Sequence, residues 1–157
     1  MTSSIFPGRH TADNSEDIVV FIIGMRINKR LSVHRWLPVF LAMPGMIKEL
    51  YTHKKHLGFH SSENYFGLRT TAMIQYWRSL DDLLAYSKNG KHLKAWKKFN
   101  RLTANSDAVG IYHETYIISK GKYESVYVNM SQYGLGKATE HMPITTEQQT
   151  AKKRLTR

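Results

Sequence analysis

The order of periodic segments predicts an α+β fold of the ferredoxin-like type, a four-stranded antiparallel sheet with helices on one face. Three observations carry this. Residues 18–27 form a β-branched run that reads as a central strand. Trp36, Phe40, Met43, Ile47 and Leu50 step by four, three, four and three, the spacing of an apolar helix stripe. Two strands, a second helix and a further strand then follow. The length of 157 residues suits one domain. Helices on one face leave the other uncovered, yet the strands carry apolar residues on both faces. Burial of the second face against another copy predicts a homodimer, a dimeric α/β barrel around a shared cavity.

In chain order, residues 1–16 are polar, carry Pro7 and Gly8, and read as an N-terminal arm. The strand at 18–27 ends in Arg26 and Asn28, which share one face. Ser32 can cap a helix that starts at Val33. Pro38 falls in its first turns, and Pro44-Gly45 predicts a kink or break near Met43. Residues 58–66 and 71–78 read as strands joined through Gly67-Leu68-Arg69. Ser79 and Asp82 have capping-box spacing, with Asp in place of Glu, and open the second helix. Asn89-Gly90 marks a bend, after which Leu93, Trp96 and Phe99 continue an apolar face. Residues 108–119 are the fourth long strand, and 123–128 can return as a fifth. The domain is thus expected at 17–129, with 130–157 a wrapping or flexible C-terminal tail.

Composition narrows the chemistry. Hydrophobic residues make up 41% and charged residues 22%, as in a globular chain. There are no cysteines, so disulfides, thiol nucleophiles and thiolate metal sites are excluded. The net charge of +11 raises an anionic partner. The cations are dispersed, however. Only Lys94, Lys97, Lys98 and Arg101, at helical spacing, and Lys152, Lys153, Arg154 and Arg157 in the tail form clusters, and such faces are ordinarily solvated. Nucleic acid is therefore not the expected partner. The N-terminus does not read as a signal peptide, and the apolar run 18–25 is far short of the roughly 20 residues that span a membrane. A cytoplasmic location without membrane association is expected.

Several motifs resemble known sequences. The stretch Tyr76-Trp77-Arg78-Ser79-Leu80-Asp81-Asp82-Leu83, followed by Ala85-Tyr86, His92, Trp96 and Val109-Gly110-Ile111-Tyr112-His113-Glu114, resembles the antibiotic-biosynthesis monooxygenase superfamily. Phe6-Pro7-Gly8-Arg9, Gly24-Met25-Arg26-Ile27-Asn28, Trp36-Leu37-Pro38, Gln75-Tyr76-Trp77-Arg78-Ser79 and Tyr133-Gly134-Leu135-Gly136-Lys137-Ala138 resemble an uncharacterised family of short monooxygenase-like proteins. The superfamily implies incompatible activities. Some members are cofactor-independent oxygenases of polyketide phenols that use Trp and Asn side chains. Others degrade haem, with a His on the second helix as iron ligand. Trp77 matches the strand-end Trp of both kinds. The haem-ligand position corresponds by spacing to Trp96, with His92 about one turn earlier, a departure from the haem-degrading pattern.

Alternation along the strand puts Met73, Gln75 and Trp77 on one face. If that face lines a cavity, Met73 contributes apolar wall, Gln75 a hydrogen bond and Trp77 a stacking surface; otherwise Trp77 is core packing. Arg26 could bind a carboxylate or enolate and Asn28 could orient a carbonyl, or both simply carry the strand end into water. Among eight histidines, His60, His92 and His113 fall on predicted elements, and each is either structural or a general base or ligand. No pair has metal-site spacing on one helix. The expected function is an enzyme of the monooxygenase-like class, cofactor-independent, acting on an apolar or aromatic small molecule in a pocket between sheet and helices. Trp77, His92 and Asn28 are the expected catalytic residues, and Arg26, Gln75, Met73 and His60 the substrate-binding ones. The alternatives are a haem enzyme of the aldoxime-dehydratase or peroxidase kind and a non-enzymatic binder of hydrophobic ligands.

Overall fold

The computed structural model describes residues 4–88, 90–104 and 106–156; Asn89 of the expected bend and Arg157 of the tail cluster lie outside them. In chain order the elements are β1 (Phe6–Ala12), β2 (Ile18–Ile27), α1 (Val33–Phe40), α2 (Met43–Thr52), α3 (Lys54–Leu57), β3 (Phe59–Phe66), β4 (Thr70–Trp77), α4 (Leu80–Ser87), α5 (Gly90–Thr103) and β5 (Val109–Ile118). The chain ends with β6 (Tyr127–Met130), α6 (Leu135–Ala138), β7 (His141–Pro143), a 3-10 turn at Thr146–Gln148 and α7 (Ala151–Leu155).

The main sheet has the order β3-β4-β2-β5, antiparallel throughout. β2 is central because its side chains are apolar on both faces. Val19, Phe59 and Trp77 on the sheet meet Leu50 of α2 and Leu83 and Tyr86 of α4 in one core cluster. Met25 and Val109 meet Val39 of α1 in a second. The fold is α+β and ferredoxin-like, with the helices on one face. The other face presents Val20, Ile22 and Ile74, half-buried, and the exposed Tyr112 and Tyr116. Gly24 is opposite Tyr112 on that face, and any Cβ at Gly24 would overlap the tyrosine ring.

The single helical stripe becomes two helices. Pro44 stands in the first turn of α2, where its missing N–H is not needed, so the chain restarts there after a break at Leu41 and Ala42. The α4 start forms as its capping signal predicts: Asp82 N–H donates to Ser79 Oγ at 3.1 Å, and Arg78 donates twice to the Asp82 carboxylate at 2.9 and 2.8 Å. Hydrogen bonding from Arg78 holds the Asp82 carboxyl below its ordinary range.

The arm and the tail depart from the sequence reading. Residues of both build a second sheet of order β6-β1-β7. The returning strand forms at β6, a few residues later than expected. Arg154, counted above with the tail cations, is buried: its Nε donates to Glu124 Oε2 at 2.7 Å and its Nη1 to the Gln148 carbonyl at 2.9 Å. Asn14 Nδ2 donates to the Arg154 and Tyr123 carbonyls, tying the tail to the β1–β2 loop.

In this small sheet the rings of His141 and His10 stack at 4.7 Å, with Phe6 and Tyr127 at the edges of His141 and Gly136 of α6 against it. Neither His141 nitrogen has a hydrogen-bond partner among the described residues, and burial together with His10 pushes its pKa below the ordinary 6.5. The unfolded chain therefore takes up a proton more readily than the folded one. This contribution to stability is present above about pH 6.5 and is lost as pH falls through the lowered folded value. Urea midpoints at pH 7.5 and 5 should differ less in His141→Phe than in the native chain; an equal difference would mean that His141 does not set the acid limb. His60, also lowered chiefly by burial, keeps its own share in both proteins.

Candidate functional site

Register sets the floor of a cavity. Met73 pairs with Ile23 and Gln75 with Phe21, while Ile23 and Phe21 pair across β5 with His113 and Thr115. All face the helices. Above them α2 contributes Met43, Met46 and Leu50, α4 contributes Leu83 and Tyr86, and α5 contributes His92 and Trp96. The cavity volume is about 350 Å³, within the range of small-molecule sites. Among the described residues no Asp, Glu, Lys or Arg lines it.

Ser87, His113 and Thr115 are also in the lining, and three further polar groups have partners or burial that define what they offer. Trp77 is wholly buried, and its Nε1–H donates to Gln75 Oε1 at 2.9 Å. That bond occupies the amide oxygen and leaves the amide NH₂, which meets the soft Met73 Sδ at 3.6 Å, as the available donor. His92 Nδ1 lies 3.0 Å from the Ser87 carbonyl at the end of α4. A carbonyl only accepts, so Nδ1 carries the hydrogen, and Nε2 of the neutral ring holds a lone pair. Tyr86 is only 5% exposed, and its hydroxyl has no hydrogen-bond partner among the described residues. Burial pushes its pKa up to about 12, so it is a neutral donor at ordinary pH.

The structure thus gathers Met73, Gln75 and His92 at one cavity. Trp77 does not line it: it sits behind Gln75 among Val19, Phe59 and Tyr86, and reaches the cavity only through the amide it holds. Arg26 pairs with Thr70 and Gly110, on the opposite face from Gln75, and is exposed. Asn28, also exposed, donates to the Asp107 carbonyl at 2.8 Å, tying the strand end to the loop before β5. His60 sits at a bulge between Phe59 and Ser61, with Lys54, Glu16, Arg78 and Asp82 as its charged neighbours. These three lie outside the cavity lining. Sequence reasoning missed Tyr86 as a lining residue. Three positions after Leu83, it reads as one more core residue, and only its unpaired hydroxyl sets it apart.

A family model described as monooxygenase af470-like matches residues 18–135, which include every strand of the main sheet and both helices over the cavity's polar end. The chain belongs to the monooxygenase af470-like family. Monooxygenase af470 of Aspergillus fumigatus is 27% identical over 147 residues, 87% of this chain and 53% of that protein. The chain therefore spans about half the length of this curated relative. Among solved structures, an aldoxime dehydratase in complex with butyraldoxime superposes with a TM-score of 0.71 at 20% identity, over 85% of this chain and 41% of its own. A second aldoxime dehydratase gives 0.69 at 18% identity, over 87% of this chain and 44% of its own. At these identities the likeness is one of fold. Among the described residues no helix is long and apolar enough to cross a membrane, and no three His, Asp or Glu side chains group as a metal site.

Proposed function

We propose that this member of the monooxygenase-like family is a small-molecule oxygenase that takes an apolar phenol or enol into the cavity between sheet and helices. One observation carries the reading: an apolar cavity with no charged side chain among its described lining residues, whose lining includes a fixed amide donor, a neutral phenol and an imidazole that keeps Nε2 as an acceptor. His92 Nε2 takes the substrate hydroxyl proton, and the Gln75 NH₂ and Tyr86 hydroxyl donate to the oxygen left behind. The electron-rich ring itself reduces dioxygen: one oxygen atom enters the ring, the other leaves as water, and the phenol becomes a quinone. No cofactor is needed for that balance. A second copy over Val20, Ile22, Ile74, Tyr112 and Tyr116 completes the barrel in this reading, since that sheet face is only half-covered and carries these apolar and aromatic side chains alongside Glu63, Glu114 and Arg26.

The test is dissolved-oxygen consumption with a panel of apolar phenols, measured on the native chain and on Tyr86→Phe. Removing a buried hydroxyl that has no partner should leave stability unchanged or raise it by about 1 kcal/mol. Phenol affinity should fall by roughly fivefold for the lost donor. A destabilised Tyr86→Phe would show that the hydroxyl serves the fold, and absent oxygen uptake with retained binding would favour a ligand-binding module.

A haem enzyme is the second reading, favoured by one detail. His92 gives its Nδ1–H to a backbone carbonyl, the outer bond that orients an imidazole toward a metal. His92 would then hold the iron, which would supply the redox chemistry. A Soret band on adding haem, absent in His92→Ala, would select this reading.

A further inference from the structure

The cavity does not stop at its own walls. Two smaller apolar voids continue from it beneath α1 and α2. One, of about 120 Å³, runs past Val39 and Ile47 to Phe40 and Phe66 at the β3–β4 hairpin. The other, of about 80 Å³, lies between Val39, Ala42 and Phe99, with His92 and Lys98 also in its lining. Ile23 and Met43 line all three spaces. These two side chains, with Met73 between the two larger spaces, are therefore the partition.

They differ in freedom. Ile23 is β-branched and held in a central strand paired on both sides. Met43 is unbranched, half-buried, and the first residue of α2, just after the α1–α2 break. Three flexible side-chain bonds let a methionine re-pack without moving the backbone. Gln75, Tyr86 and His92, the groups able to bind a ring hydroxyl, line the large end, whereas the described residues lining the 120 Å³ void are apolar except for the uncharged Asn64 and Thr71.

We infer that the three voids are one channel gated by Met43, and that its substrate is an elongated amphipathic molecule, a hydroxyl-bearing ring at Gln75, Tyr86 and His92 with an unbranched hydrocarbon tail reaching toward Phe66. This rests on the functional reading above and narrows its substrate class. Met73 of β4 lines both the large cavity and the 120 Å³ void, so the channel runs along β2 and β4 past it.

The experiment is calorimetric binding of 4-alkylphenols, from methyl to decyl, to the native chain, Met43→Trp and Met43→Ala. In the native chain each added CH₂ should tighten binding about fourfold until the channel is full, after which affinity levels off. Met43→Trp should level off at a shorter tail than the native chain, whatever its affinity for 4-methylphenol. Met43→Ala should keep the full climb. The channel is overturned if affinity stops rising after two or three carbons in the native chain and in Met43→Ala, or if the Met43→Trp series overlays the native one. If 4-methylphenol itself does not bind, the functional reading falls first and the channel with it.

Discussion

Replacing Trp77 with alanine is expected to destabilise the fold by about 3–5 kcal/mol, the range for truncating a large buried aromatic. Trp77 is wholly buried, with Phe59 at 5.4 Å and Tyr86 at 5.5 Å between ring centroids, so no solvent can fill the space. Trp77→Phe separates packing from the site. It keeps most of the ring contact and removes the Nε1–H, leaving Gln75 Oε1 an unpaired acceptor in a residue only 4% exposed. That should cost about 1–3 kcal/mol and free the amide to turn. Gln75→Leu removes the orphaned acceptor, so Trp77→Phe should cost less in that background. Ligand affinity should fall in either single variant and fall no further in the double. This coupling, read from urea midpoints and phenol binding, is the signature of a positioning role. Affinity unchanged in Trp77→Phe but lowered in Gln75→Leu would leave Trp77 as core packing alone.

The main sheet was legible because its segments obey simple periods. The run 18–27 is apolar on both faces because β2 is central, and Pro44-Gly45 announced the α1–α2 break through the chemistry of proline. The small sheet was not legible. β1 contains Pro7 and Gly8, and β7 is three residues long and pairs with β1 from more than a hundred residues away, so neither has a local period to read. In the site, alternation placed Met73, Gln75 and Trp77 on one face, and the structure turns that face toward the helices. A shared face is not a shared depth, however: α4 closes over Trp77 and leaves Gln75 at the cavity. Arg26 could be excluded only by its partner Thr70, because the register between two strands is a tertiary fact. His60 falls at a bulge, where one extra residue breaks the alternation that would assign it a face.

Gly58→Ala is expected to cost about 2–4 kcal/mol, and its cost reaches the cavity. Gly58 ends α3 in the left-handed region, with φ of 67°, where a side chain adds roughly 1–2 kcal/mol of strain. A methyl there would also sit 2.9 Å from Asp82 Cβ and closer still to its carboxylate. Asp82 cannot turn aside freely, because Arg78 holds it with two hydrogen bonds and the Ser79 hydroxyl with a third at 2.7 Å. Displacing it undoes the α4 cap, worth about 1 kcal/mol. The Gly58 carbonyl accepts from Arg78 N at 2.8 Å, so the same turn joins the end of β4 to the start of β3. Asp82→Ala should therefore be destabilising in the native chain and nearly neutral, or relieving, in Gly58→Ala. Since α4 carries Leu83 and Tyr86 over the cavity, Gly58→Ala should also weaken phenol binding while the chain remains folded. Equal costs of Asp82→Ala in both backgrounds would show that the turn yields elsewhere and that only the backbone strain is felt.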